Sequence, residues 1–436
     1  MIQTYDDAIA WIHGRLRLGI KPGLARMEWM MNRLGHPQKK IKAVHVGGTN
    51  GKGSTVAYLR SIIQSSGKTT GTFTSPYFKT FNERIAINGK PVSDEDWLEL
   101  TKRIEPLAAE LEKLEIGGPT EFEVITAMMF LYFGEINPVD VVLVEVGLGG
   151  RFDSTNIIQP LCSVITSIGL DHVSILGSTY EKIAFEKAGI IKQNVPVVTN
   201  VKQEKANDVI QKTAAERSAP LFSYNRDFKA ELLESEADGE HFIYRDNQVS
   251  IPVKMGMTGK HQVENASIAI FAASILSESL KMNITKETII SGIAAAYWPG
   301  RTDILSRTPF LMMDGAHNKE GIEALIDTIN RKFPKQRVHF LFAAVGDKDL
   351  SKMIALLDKK AATISFATFD MPRAAAAEAL VELSNHPSSR SVDALVWAEE
   401  ALHSKSDDLY IMTGSLYFLS SISFEIKNLI NTISKK

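Results

Sequence analysis

The chain is poor in the features that would place it outside an ordinary soluble setting. It has one cysteine, Cys162, in 436 residues, which excludes an internal disulfide and fits a reducing compartment. Its net charge is only −2, so no global field favours nucleic acid or an anionic membrane. Apolar runs are short: "VDVVLVEVG" suits a buried strand and falls well below a bilayer span. Asp6 and Asp7 sit where the apolar core of a signal peptide would lie, so none is expected. Repeats and low-complexity tracts are missing, and no G-x-G-x-x-G follows a strand, which argues against a dinucleotide dehydrogenase. An N/T-K-x-D base-reading motif is also lacking: "DKDL" at 347–350 does not fit it, which argues against a GTPase. A cytoplasmic monomer without nucleic-acid or membrane partners is the expectation.

What remains is a composition normal for a globular protein, 44% hydrophobic and 23% charged, in a chain long enough for two domains. Strand-length apolar runs alternate with stretches of helical period, which predicts an α/β fold. The expected architecture is a P-loop-type domain over 1–297, with a mostly parallel sheet and helices on both faces. A smaller Rossmann-like α/β domain follows over 298–436. "KAVHV", 139–146 and 162–168 read as buried strands. Thr120 and Glu123 form a capping box before an apolar helix, and Gln262 to Leu280 reads as a long helix. The stretch from Phe228 to Val253 reads as a small antiparallel excursion whose acidic run, Glu231 to Glu240, is a solvated hairpin. Pro299 and Gly300 of "YWPGRTDIL" mark the boundary, after which "FLMMD", "RVHFLFAA", "ATISFATF" and "LYIMTG" are strands.

"HVGGTNGKGSTVAYLR" (45–60) has the physics of a phosphate loop in an unusual spelling. A strand feeds a glycine-dense turn and a helix starts at once, so backbone N–H groups and a helix N-terminus converge on an anion. Lys52 adds a mobile charge, and Ser54 or Thr55 can reach phosphate or Mg²⁺. The plain alternative is a turn packing strand on helix. Glu145 interrupts a Val/Leu strand, where a charge is costly unless paired or metal-bound. Asp171 and His172 follow the next strand, and His172 is either a loop histidine or a ligand. Lys187 lies on the buried stripe of a helix that a Ser178–Glu181 capping box opens. Either its ammonium snorkels to water or it faces the site.

Together "GTNGKGS", "TFTSP", "GLGGRFDSTN", "TSIGLDH", "EKAGIIK", "WPGR", "DGAHN" and "TGSLYF" resemble the folylpolyglutamate synthases, which are Mur-ligase-like amide synthetases. The resemblance spans nearly the whole chain. It implies ATP-dependent addition of L-glutamate to the γ-carboxylate of a reduced folate through an acyl phosphate. It further implies ATP contacts at Thr49, Asn50, Gly51, Lys52, Gly53, Ser54, Thr55, Asn265, Arg301 and Asp314. Two Mg²⁺ sites are implied at Ser75, Glu145, His172 and Lys187, with Lys187 carried as a carbamate and a monovalent cation allowed beside them. Glutamate is implied at His317 and Ser415, and the catalytic set is Lys52, Lys187, Arg301 and His317. Simpler roles compete: Asn265 as a core amide and Asn318 as an N-cap. "GGRFDSTN" is closer to folate-elongating enzymes than to "RLDATN" types, which leaves dihydrofolate synthesis an open alternative. A nucleotide-binding module without chemistry is the reading from another class. It leaves Glu145, His172 and Lys187 unexplained.

Overall fold

A computed structural model describes residues 2–234, 239–346 and 348–433. Before Tyr297 lies an eight-stranded sheet in the order β4-β3-β2-β5-β1-β6-β7-β8. These strands are β1 (Ala43–Gly47), β2 (Thr70–Phe73), β3 (Ile85–Ile87), β4 (Lys90–Pro91), β5 (Val141–Glu145), β6 (Cys162–Ile165), β7 (Val197–Thr199) and β8 (Leu221–Ser223). β2, β5, β1, β6, β7 and β8 pair in parallel, and only β3 and β4 run antiparallel. A three-stranded antiparallel sheet follows: β9 (Phe228–Glu234), β10 (Glu240–Asp246) and β11 (Ser250–Met255). After Arg301 comes a six-stranded sheet in the order β12-β13-β17-β14-β15-β16. Its members are β12 (Asp303–Arg307), β13 (Phe310–Asp314), β14 (Val338–Phe342), β15 (Thr363–Phe366), β16 (Arg390–Ser391) and β17 (Leu409–Thr413). β12 is antiparallel to β13, and the other pairs are parallel.

Both large sheets are covered on both faces. Along β5, Val141 and Leu143 join the core under the helices Lys52–Ser65 and Lys260–Ser279. Val142 and Val144 join the opposite core, under Asp94–Leu111 and Glu121–Leu131. That alternation is the period-two pattern of a strand buried on both sides. The helix Glu121–Leu131 is buried almost all round, and its Thr120–Glu123 capping box is formed. Glu123 also pairs with Arg26 at 2.9 Å, which settles a buried carboxylate. In the second lobe, Met312 faces one core while Leu311 and Met313 face the other.

Three local expectations need correction. The strand read over 162–168 stops at Ile165, so the residues after it form a loop at the sheet's carboxyl edge. The helix carrying Lys187 is capped by Thr179, whose side chain accepts the Lys182 N–H, and not by Ser178. The acidic run is not simply solvated. Residues 235–238 lie outside the described residues, but Glu240 is fully buried. Its carboxylate takes Arg331 at 2.9 and 3.1 Å, lies 3.3 Å from Lys332 and accepts Gly259 N–H at 2.7 Å.

Candidate active site

β1 ends at the glycine loop, and the helix Lys52–Ser65 starts one residue beyond Gly51. Gly48 (φ +144°) and Gly51 (φ +88°) hold backbone conformations that favour glycine. A Cβ on Gly48 would also collide with the Thr166 hydroxyl, and one on Gly51 with the Asn265 amide. The departure at residue 53 has the same kind of cause. A Cβ there would lie 2.7 Å from the Trp298 indole Nε1, so the Ser or Thr of the usual spelling is excluded by the linker tryptophan. The loop is bolted to the end of β6. Thr49 N donates to Ser167 O at 2.8 Å, Asn50 N to Ser167 Oγ at 3.0 Å, and Thr166 Oγ1 to Asn50 O at 2.6 Å. Ser54 and Thr55 are buried at the start of the helix, and the Thr55 hydroxyl has no hydrogen-bond partner among the described residues.

Two ammonium groups meet on one carbonyl. Lys52 Nζ donates to Gly48 O at 3.0 Å and Thr49 O at 3.1 Å, and Lys187 Nζ donates to the same Gly48 O at 2.9 Å. Lys187 is 4% exposed, so its head does not reach water and the snorkelling alternative fails. Burial first, and the Lys52 charge second, push Lys187 down to about 7. Burial also lowers Lys52, opposed by Glu145 and Asp171.

Glu145 closes β5 and is buried. Burial raises it to about 7 against the pull of Lys52, and its contact with the Ser75 N–H is long, 3.3 Å. A carboxylate so poorly satisfied is a group that gains from a divalent cation. Asp153 is better held: Leu148 N–H reaches it at 2.8 Å, Thr155 N–H at 3.0 Å, and the Thr155 hydroxyl donates to it. His45 Nε2 lies 2.8 Å from that hydroxyl, and burial drives His45 down to about 3. His172 is more exposed than either lysine. Its side chain is 41% exposed and its Nε2 is 3.9 Å from Asp171. Among the described residues no group of three or more His, Cys, Asp or Glu has metal-holding geometry. A cation here would therefore take few protein ligands, as magnesium does when it keeps waters and phosphate oxygens.

The second lobe brings its carboxyl edge to the same place. Arg301 is half-buried in charge range of Glu145 and Asp314 and donates to Gly315 O at 3.2 Å. Asp314 ends β13 and accepts Thr302 N–H and Ala316 N–H, each at 2.9 Å; burial raises it, against Arg301. His317 Nδ1 lies 2.8 Å from Gly315 O, and burial lowers the ring to about 4. Ser415 is buried before the helix Leu416–Ile433, with Phe418 N–H 3.5 Å from its hydroxyl. Asn265 Nδ2 donates to Gln262 at 3.2 Å, so it is a core amide and a neighbour of the loop at once. Asn318 caps the helix Lys319–Lys332 through Gly321 N–H and exchanges amide hydrogen bonds with Asn50 at 3.0 and 2.9 Å. Its cap role and its reach across the lobes coexist.

Lys348 is the site residue that sequence reasoning missed. Its ammonium forms an ion pair with Asp171, although the two lie in different lobes. Burial would raise Asp171, but Lys348, then His172 and His317, hold it well below the usual carboxylate range. The signal was present in "AAVGDKD", a basic residue just past a strand end. It was weighed only as a failed base-reading motif.

Comparison with known proteins extends this geometry. Residues 46–273 match the Mur ligase middle domain, and residues 300–416 match the Mur ligase glutamate ligase domain. The chain is 46% identical over 434 residues to a dihydrofolate synthase/folylpolyglutamate synthase of Bacillus subtilis, covering 98% of this chain and 100% of that one. It is 34% identical to a folylpolyglutamate synthase of Lacticaseibacillus casei, covering 96% and 98%. Among solved structures, a Mycobacterium tuberculosis folylpolyglutamate synthase complexed with ADP superposes with a TM-score of 0.89 at 28% identity, covering 97% and 98%. A synthase complex with AMPPCP and folate gives 0.85 at 32% identity, covering 98% and 100%.

Proposed function

Because the chain belongs to the folylpolyglutamate synthase family of Mur-type ligases, we propose that it joins L-glutamate to the γ-carboxylate of a reduced folate, with ATP as the energy source. The observation that carries this reading is the convergence of Lys52 and Lys187 on the Gly48 carbonyl, with the buried Glu145 in charge range of Lys52. That arrangement suits the meeting of two anions, a polyphosphate and a carboxylate. The hinge lies at 297–301, where domains 1–297 and 298–436 join, so that the lobes close over a labile acyl phosphate and keep water out. The enzyme works as a cytoplasmic monomer. Its single buried cysteine suits that compartment, and no helix of the described residues is long and apolar enough to cross a membrane.

In this reading residues 49–55 cradle the ATP phosphates with backbone N–H groups, Lys52 and the free Thr55 hydroxyl. Arg301 reaches the same phosphates, and Asn265 and Asp314 hold the nucleoside. Ser75, Glu145, His172 and carbamylated Lys187 would together serve the two magnesium sites. Magnesium, when bound, neutralises charge between ATP and the folate carboxylate. A buried amine near neutrality is the form that adds carbon dioxide with loss of a proton, which turns Lys187 from a repelled cation into an anionic ligand. A monovalent cation is compatible with the remaining charge. His317 and Ser415 receive the incoming glutamate.

A second reading has its own support: the Bacillus subtilis relative is named for both dihydrofolate and folylpolyglutamate synthesis. The "GGRFDSTN" motif is closer to folate-elongating enzymes and leaves dihydrofolate synthesis open, and that relative's name favours the second activity. One experiment addresses both. ATP, magnesium and glutamate are supplied with tetrahydrofolate or with dihydropteroate, and products are resolved by mass. Glutamate added to tetrahydrofolate, with one phosphate released per addition, is the expected result. Product in the dihydropteroate arm adds the second activity. Nucleotide binding with no product in either arm would overturn the ligase reading in favour of a binding module.

A further inference from the structure

Two consecutive residues after β2 are rooted in different lobes. Tyr77 stacks edge-on to Phe81 with ring centroids 5.8 Å apart, and Phe81 meets Trp97 at 4.7 Å in the core of the first lobe. Phe78 turns the other way. It is 6% exposed and, among the described residues, is the one residue before Tyr297 in the core built by Leu311, Met313, Phe418 and Leu419. The backbone follows the ring: the Ser420 hydroxyl donates to the Phe78 carbonyl. The linker touches the ring too, since a Cβ on Gly300 would lie 2.9 Å from it. The segment has little slack. Glu83 accepts the N–H groups of Phe78 at 2.8 Å, Lys79 at 3.0 Å and Thr80 at 3.2 Å. Three residues upstream, Ser75 N–H reaches Glu145 at 3.3 Å.

We propose that Phe78 is a positioning residue that ties the docking of the second lobe to the Ser75–Glu145 geometry. The ring leaves its apolar seat only by exposing itself to water, so the segment moves with the second lobe. The Glu83 carboxylate fixes 78–80 to the turn Phe81–Arg84, and Thr74 N–H on Arg84 O at 3.1 Å ties that turn to the residue before Ser75. Ser75 then lies correctly against Glu145 only when the lobes meet. The kinetic consequence rests on the ligase reading; the mechanical coupling does not.

The test compares Phe78→Ala and Phe78→Leu with the parent, using hydrogen exchange and steady-state kinetics. In Phe78→Ala, exchange should rise both in 74–80 and in 416–422. kcat should fall about 100-fold, as for a reacting group displaced by about 1 Å, with KM for ATP unchanged. Phe78→Leu keeps an apolar plug and should recover most of the turnover. A merely structural ring would lower Tm without moving kcat or the exchange of both segments. Parent-like kcat in Phe78→Ala, or faster exchange confined to 74–80, overturns the proposal. Linked exchange in a parent that makes no folate product supports the coupling and sinks the ligase reading instead.

Discussion

The two lobes meet on two sides, and the contacts differ in kind. Away from the site, Glu240 of the small antiparallel sheet is fully buried against Arg331 and Lys332 of the second lobe. At the site, neutral amides of Asn50 and Asn318 bind each other, and Asp171 is shared by Lys348, His317 and His172. Glu240 and the Lys332 side chain are out of water while Arg331 is partly exposed, so parting the lobes here takes a buried carboxylate away from its charge partners. Amides and a low-pKa imidazole separate at less cost, and a carboxylate or phosphate can replace the partner of Lys348. The contact at the site is thus the more readily exchanged of the two at its amides and imidazole, although Lys348 and Asp171 form a buried pair there as well.

Breaking the far contact gives the largest expected effect. Glu240→Ala takes a buried carboxylate away from Arg331 and Lys332 and should lower unfolding free energy by about 3–5 kcal/mol in denaturant titration. A change within error would show that the contact is not the fixed one. Next, Lys52→Ala should raise the catalytic barrier by about 3–4 kcal/mol with Tm little changed. Near-parent turnover would remove the loop from the chemistry. Gly53→Ser restores the common loop spelling, yet it should cost about 1–3 kcal/mol because Cβ meets Trp298. It should weaken nucleotide binding, read by calorimetry; tighter binding would refute the steric account.

A further effect is a pH dependence. His45 is held at about 3 by burial, below its ordinary 6.5, so between those values the unfolded chain binds more protons. Stability should therefore fall as pH drops from 6.5 toward 3. His45→Gln, which keeps a donor for Thr155 and does not titrate, should flatten part of that slope. His261 and His317, at about 4, add to the slope in the same direction, and Glu145, raised to about 7, opposes it. An unchanged slope would mean that His45 does not stay neutral.

The parallel cores of both lobes were legible because Val/Leu strands and glycine turns are local signals. The short antiparallel strands β3, β4 and β12 were not, since two to five residues carry too little period to read. Contacts across the lobes were the main loss. Glu240 looks solvated in an acidic run, and nothing local announces Arg331. Lys348 looks like loop charge until Asp171 is placed beside it. Phe78 and Tyr77 are adjacent aromatics, and only the packing shows that they belong to different cores. The buried Lys187 was caught as a break in an apolar stripe, but its shared carbonyl with Lys52 required the fold.

The proposed chemistry has the lysine pair and Glu145 bring a carboxylate to ATP. The most direct measurement follows heavy oxygen from a labelled folate γ-carboxylate during one round of glutamate addition. The account predicts one labelled oxygen in the phosphate released, left there when the acyl phosphate is attacked. Product formed with unlabelled phosphate would contradict it.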